Sequence, residues 1–340
     1  MKTFALAAVL AVSVTTAGTA KTIDSLFSSF YALGDSLSDD GKGLAPAASP
    51  YFGTRFTNGE TWAEDIENAF TDVGKDTKNY ALGGATASGP DLGADNPARG
   101  SNLTGQVNTL LEDVAFGNIN PGDTPLVSVW MGANDLFGLA GSPFAAPLAG
   151  SDDELKFLAE GVAGLVALSI GQLALNPVYQ FENFLVPNLP DLDGTPLYTL
   201  AASEFAANAA IVTEAYNSAL STNLAALEAS LGITIFEVDT NALFDEISGP
   251  DNPLGLLDRT NPCVFEALDI NCAPSDPSIA SFFLFQDLVH PTRPAHALLA
   301  ARATELIEAE LAPVPLPATG LLLIAGIGIL GAQAQRKARA

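Results

Sequence analysis

Five short apolar runs, each closing on glycine, asparagine or aspartate and each separated from the next by a longer stretch, limit this chain to few architectures. The runs cover 27–33, 79–82, 126–131, 184–187 and 233–238, and the residues after them are Gly34, Gly83, Gly132, Asn188 and Asp239. Short continuous apolar runs between helical patterns are the signature of βα units and a parallel sheet. Helical spacing fills the gaps. In 60–70, Trp62, Ile66 and Phe70 fall on one stripe, and in 203–231 Leu220, Leu224, Leu227 and Leu231 do the same. A last helix is expected from Pro294, a good first-turn residue, to about 311. The Ala- and Leu-rich stretch 143–171 carries Asp152, Asp153, Glu154 and Lys156, so it reads as a packed helix and not as a membrane segment. With no internal repeat and no interior linker, the pattern predicts one α/β domain, a three-layer α/β/α sandwich around a five-stranded parallel sheet.

The two ends differ from this middle. Residues 1–20 hold Lys2, an apolar run over 4–14 and small residues at 18 and 20, the three parts of a secretory signal peptide. The expected domain therefore covers 21–312, and 313–340 is a separate C-terminal segment. There, Val314-Pro315-Leu316-Pro317-Ala318 precedes an apolar stretch over 321–332 and a basic tip with Arg336, Lys337 and Arg339. This order resembles the VPLPA-type sorting signals of exported bacterial proteins, which implies processing by an exosortase after signal peptidase has acted. The apolar stretch is short for the ~20 residues that cross a bilayer, so a tail anchor with weak or transient membrane attachment stays open beside it. Either way the expected location is the bacterial envelope or the extracellular space.

The chain has 14 Lys and Arg against 39 Asp and Glu, a net charge of −25. Four of the basic residues sit at the two ends, so the expected domain is more acidic still. Such a surface repels nucleic acid and anionic headgroups. Cys263 and Cys272 are the only cysteines. In an exported protein they are expected to form a disulfide, closing a ten-residue loop worth about 2 to 3 kcal/mol. A zinc site is not expected, because neither the cysteines nor the histidines have ligand spacing.

The residues that carry chemistry lie far apart. Ser36, in Gly34-Asp35-Ser36-Leu37, follows the first strand, where the turn exposes its hydroxyl and leaves backbone N–H groups free. No Gly-x-Ser-x-Gly surrounds it, so it is not a nucleophile elbow. Only His290 and His296 could supply a base, and His296 falls inside the last helix. Further blocks follow the second and third strands, Asn79-Tyr80-Ala81-Leu82-Gly83-Gly84 and Gly132-Ala133-Asn134-Asp135, and Asp287-Leu288-Val289-His290-Pro291-Thr292 precedes the last helix. Together they resemble the SGNH, or GDSL, family of esterases and lipases.

That resemblance spans nearly the whole expected domain, including Arg55-Phe56-Thr57-Asn58-Gly59 and Val186-Pro187-Asn188-Leu189-Pro190-Asp191. It implies a flavodoxin-like sheet in the order 2-1-3-4-5. It makes Ser36 the nucleophile, His290 the general base and Asp287 the group that holds the imidazole. The oxyanion donors it implies are the Ser36 N–H, the Gly84 N–H and the Asn134 amide, with Gly83 open as the alternative to Gly84. Asp135 is expected to be a structural hydrogen-bonding partner. The chain departs from the family at Gln286, where an aromatic residue is common, and at Lys42, where asparagine is. The activity implied is ester hydrolysis through an acyl-enzyme, with no metal or organic cofactor, on a small-molecule or lipid ester. O-acetyl groups of extracellular polysaccharide are the alternative substrate, and an inactive matrix-binding scaffold is the alternative role.

Overall fold

β1 (Ser29–Gly34) and β3 (Pro125–Trp130) are buried at every position. Their apolar runs are continuous because both faces of the sheet are covered. β2 (Asp76–Asn79), β4 (Asn183–Pro187) and β5 (Thr234–Val238) complete a parallel sheet in the order β2-β1-β3-β4-β5. The five expected strands are all present and in the implied order. The structure is a computed structural model and describes residues 22–42, 45, 51–143, 146–147, 150–201, 203–265, 270–272 and 276–312. The leader at 1–20, the proline motif at 314–318 and the apolar stretch at 321–332 lie outside these residues. Residues 22–307 form one unit, and 1–21 with 308–340 a second; the fold described is that of the first.

One strand is displaced from its expected position. The run 79–82 was expected to pair, but β2 ends at Asn79 and consists of Asp76, Thr77, Lys78 and Asn79. An edge strand has one partner and a solvated flank, so polar residues suit it better than the sequence pattern suggests. The backbone still runs on beside β1, since the N–H groups of Tyr80 and Leu82 donate to the carbonyls of Ala32 (2.7 Å) and Gly34 (3.1 Å).

The helices are α1 (Ile23–Leu26), α2 (Trp62–Thr71), α3 (Leu103–Phe116), α4 (Ala133–Ala140), α5 (Asp152–Ala174), α6 (Pro196–Thr199), α7 (Ser203–Leu231), α8 (Thr240–Ser248) and α9 (Arg293–Glu310). Right-handed crossovers fix their sides. The step from β1 to β2 runs one way along the sheet and the next three steps run the other, so α2 covers one face while α3, α5 and α7 cover the opposite one. α9 returns to α2, where Arg293 forks onto Asp65 (2.5 and 2.6 Å). Local signals explain several starts. Thr61 and Glu64 form a capping box for α2, and Asn102, Ser151 and Asp239 accept N–H groups at the starts of α3, α5 and α8.

The core beneath the strand ends is aromatic. Trp62 and Trp130 meet edge to face at 5.6 Å, and their indole N–H groups donate to Ser38 Oγ (3.0 Å) and the Asn188 carbonyl (2.9 Å). Gln106 of α3 grips the end of β1: its side-chain oxygen accepts the Gly34 N–H and its amide donates to the Gly34 carbonyl, both at 2.8 Å. The strand thus ends at a fixed point, two residues before Ser36.

A small appendage precedes α9. β6 (Asp258–Pro262) pairs in parallel with β9 (Phe283–Phe285), and β7 (Val264–Phe265) pairs with β8 (Ile270–Asn271) as the hairpin closed by the Cys263–Cys272 disulfide. The N–H groups of Cys263 and Val264 donate to the carbonyls of Phe285 and Gln286, both at 2.9 Å. The cross-linked hairpin is therefore tied directly to the segment that carries Asp287 and His290.

Candidate active site

β1 and β3 end side by side, with Gly34 opposite Trp130, so the loops that follow leave the sheet at the same edge. Ser36 is on the first. After it the chain coils, with the Asp35 carbonyl accepting the N–H groups of Ser38 (3.1 Å) and Asp39 (3.0 Å). The Ser36 N–H donates to no acceptor among the described residues.

The last loop brings His290 to this serine. Its Nε2 stands 2.8 Å from Ser36 Oγ, and its Nδ1 is 2.9 Å from both carboxylate oxygens of Asp287. The three-residue spacing works because the loop folds around the Asp287 carboxylate. Oδ1 also accepts the N–H groups of Val289 and His290 at 3.0 Å, and the Gln286 N–H closes back on the His290 carbonyl at 2.7 Å. Tyr51 donates its hydroxyl to Asp287 Oδ2 at 3.0 Å, and the Phe56 ring lies 4.8 Å from the imidazole. Burial pulls the His290 pKa down, but the charge and hydrogen bond of Asp287, with Asp35 behind it, outweigh this and raise it above 6.5. Burial pushes Asp287 up, and His290 with the loop N–H groups more than reverses that, so it stays ionised.

The glycine loop and α4 form the third side. Asn134, in the first turn of α4, donates one amide hydrogen to the Ala85 carbonyl at 2.8 Å and lies 3.4 Å from Asp35 Oδ2. One N–H of that amide is thus firmly held while the other makes only a long bond to Asp35 in the serine turn. The two glycines differ sharply. The Gly83 N–H donates to Asp39 Oδ2 at 2.7 Å, whereas the Gly84 N–H has no acceptor among the described residues. Gly84 has φ +78° and open space where a Cβ would stand; a Cβ on Gly83 would lie 2.2 Å from the Phe56 ring.

Several residues that hold this arrangement carried no signal in the sequence. Asp35 is buried, accepts the Leu37 N–H at 3.0 Å, and has its pKa pushed up to about 7, chiefly by burial. Asp39 ties the serine turn to the glycine loop. Asn79 clamps the same pair, donating to the Ser38 carbonyl at 2.8 Å and accepting the Ala81 N–H at 2.9 Å. Asp135, expected to be structural, accepts the N–H groups of Ala87 (2.7 Å) and Ser88 (3.1 Å). His296 packs inside, close to the Trp62 N–H at 3.4 Å, with burial lowering its pKa to about 3. Gln286 is fully buried and its side-chain amide finds no partner among the described residues. Lys42 turns to Asp40 and Asn79.

An apolar cleft opens from Ser36 and His290 between Leu37, Phe137, Leu189 and Phe244. The assembled groups allow a proton to pass from a hydroxyl to an oriented imidazole beside unpaired N–H donors, the requirement for attack on an acyl carbon.

Gly83→Ala is expected to cost about 1 to 3 kcal/mol in thermal or denaturant unfolding through the clash with Phe56. Gly84→Ala is expected to cost about 1 to 2 kcal/mol through its left-handed backbone alone. In a Phe56→Ala background the Gly83→Ala cost should largely vanish and the Gly84→Ala cost should persist.

Comparison with known proteins gives this geometry a family. The model of the GDSL-like lipases and acylhydrolases matches residues 30–303. A phosphatidylcholine-sterol acyltransferase of Aeromonas hydrophila is 28% identical over 332 residues, covering 84% of this chain and 91% of that protein. A thermolabile hemolysin of Vibrio parahaemolyticus is 26% identical over 298 residues, covering 81% of this chain but 62% of that longer protein. Among solved structures, an acetylxylan esterase of Geobacillus stearothermophilus matches with a TM-score of 0.44 at 15% identity, over 85% of this chain and 97% of that one. An aryl esterase of M. smegmatis matches with a TM-score of 0.41 at 14% identity, over 83% and 98% of the two chains. The chain belongs to the family of GDSL-like lipases and acylhydrolases, hydrolases of ester bonds.

Proposed function

We propose that this protein is an exported serine ester hydrolase that cleaves the acyl ester of a lipid. The observation that carries the reading is the chain of contacts from Ser36 Oγ to His290 Nε2 at 2.8 Å and from His290 Nδ1 to Asp287 at 2.9 Å. Ser36 Oγ attacks the carbonyl carbon as its proton moves to His290, and the carbonyl oxygen becomes an oxyanion. That oxyanion accepts from the Ser36 N–H, the Gly84 N–H and the Asn134 amide hydrogen that otherwise makes the long contact to Asp35 Oδ2. His290 then protonates the departing alcohol, leaving an acyl-enzyme on Ser36. Water, deprotonated by the same imidazole, hydrolyses it. Asp287 holds the ring and stabilises the imidazolium without taking its proton.

The apolar cleft beside Ser36 favours a hydrocarbon acyl chain over an acetyl group. The Aeromonas hydrophila relative is likewise named for a lipid, phosphatidylcholine. A series of esters of rising acyl length, with acetate release as its lower end, separates this substrate from O-acetylated polysaccharide.

Ser36→Ala should reduce turnover by about 10⁴ to 10⁶, and Asn134→Ala by about 10² to 10³ through the lost oxyanion donor. Labelling by a fluorophosphonate probe should be present in the native protein and absent in Ser36→Ala. A folded native protein that takes no label and hydrolyses no ester is instead a binding scaffold.

His290 accepts a proton only when neutral. Because its pKa is raised, kcat/KM should fall with decreasing pH through a midpoint above 6.5. Replacing Asp35 by Asn, which removes one of the charges that raise it, should move that midpoint down.

Export through the leader at 1–20, with exosortase processing of the tail near 314–318, completes the reading. The intact mass of the exported protein tests it, and a mass that still includes Arg336 to Ala340 refutes the processing step.

A further inference from the structure

The outer face of α5 is out of character with the rest of this acidic chain. No charged residue occurs between Glu160 and Glu182, in a protein with 39 Asp and Glu. One side of the helix is core: Leu155, Ala159, Val166, Ile170 and Leu173 are buried. The other side is not covered. Phe157 is 72% exposed, Leu168 70% and Leu175 62%, and Val178, just beyond the helix, is 63% exposed. Phe157, Gly161, Leu168 and Leu175 lie within one narrow arc at 3.6 residues per turn. Isolated surface apolar residues need no explanation, but a row of large ones over about five turns, uncharged beyond Glu160, does.

Two further features point to what covers it. A shallow groove runs between α5 and α7, with Leu168 and Leu175 on one wall and Ala226 and Leu227 on the other. Toward the start of α5 a second groove, walled by Phe157, Glu160, Gly161 and Leu165, reaches Thr86, Asn134 and Asp135. Asn134 also borders the cleft that holds Ser36 and His290. The apolar face is therefore continuous with the candidate active site. By length and composition α5 could cross a bilayer. Its buried half makes that impossible without unfolding the domain, whereas lying flat on a lipid surface leaves the fold intact.

We infer that the outer face of α5, from Phe157 to Leu175 with Val178, docks the enzyme on an electrically neutral lipid surface, presenting the active-site cleft to esters held in that surface. This rests on the lipid-ester reading of the site. The occupant follows from charge as well as from shape. Between Phe157 and Val178 the only charged side chain is Glu160, so this face gains nothing from anionic headgroups, and the acidic remainder is repelled by them. Attraction must then come from apolar burial alone, unlike that of basic amphipathic helices. Binding should be stronger on zwitterionic than on anionic vesicles and insensitive to salt.

The test uses the full chain with vesicles of pure phosphatidylcholine and, in parallel, a water-soluble short-chain ester. A Leu168→Trp variant reads the face directly when compared with the native protein, whose two tryptophans, Trp62 and Trp130, are buried and supply the baseline. Its added fluorescence should shift to the blue with vesicles and be quenched by phosphatidylcholine brominated on the acyl chains. Leu168→Asp and Leu175→Asp should each reduce the rate on vesicle-borne ester by about tenfold, the worth of one buried leucine. Hydrolysis of the soluble ester should be unchanged, since neither residue lines the Ser36 cleft.

Fluorescence at position 168 that ignores vesicles overturns the docking surface, as do unchanged vesicle rates in both aspartate variants. So does a native protein that is a dimer in solution and becomes a monomer in Leu168→Asp, since a second copy then covers the face. If the soluble ester is not hydrolysed by the native protein, the hydrolase reading falls. The fluorescence result then still decides the docking surface.

Discussion

The site depends on β1 and β3 ending level with one another. Parallel neighbours lie about 4.8 Å apart, and the register that sets Gly34 beside Trp130 makes their loops leave the sheet together. The serine turn and the first turn of α4 thereby become neighbours, and the side-chain contact between them, Asn134 Nδ2 to Asp35 Oδ2 at 3.4 Å, is long. A shift of β3 along β1 would carry Asn134 away from Ser36 while leaving much of the core apolar. Gln106 opposes such a shift at its origin, since it occupies both backbone hydrogen-bonding groups of Gly34.

Above the sheet, carboxylates take over the role of regular structure. Asp35, Asp39, Asp135 and Asp287 each accept at least one backbone N–H in or beside the site, and three of them accept two or more. Loops cannot satisfy their own N–H groups as a helix or strand does, and a buried unpaired N–H is costly. An ionised carboxylate offers several lone pairs at once and makes stronger bonds. What the loops leave over is as informative: the N–H groups of Ser36 and Gly84, the two backbone donors proposed for the oxyanion, are passed by. The acidity of the chain is thus partly architectural and not only a property of its surface.

The sequence made the strands and the long helices legible from their local signals, while the sheet order and the grouping of Ser36, Gly84, Asn134, Asp287 and His290 were legible only through the family resemblance of their blocks. It misplaced β2, since an edge strand does not need the apolar alternation by which strands are found. It left Gly83 open beside Gly84; only the Phe56 ring and the Asp39 carboxylate, both distant in sequence, tell them apart. Tyr51 was unreadable for the same reason, as its partner Asp287 is 236 positions away. Asp35 and Asp39 lay in view beside the serine, yet nothing in their spacing says that one is buried and the other grips the glycine loop.

The distance between Ser36 and His290, 254 positions along the chain, has a consequence for synthesis. Ser36 is synthesised long before His290, and the sheet between them must close before they meet. A growing or truncated chain holds a serine no more reactive than any other hydroxyl. A hydrolase of esters is thereby inert while it is being made, because the Ser36–His290 contact forms only when the loop that carries His290 has been threaded into place.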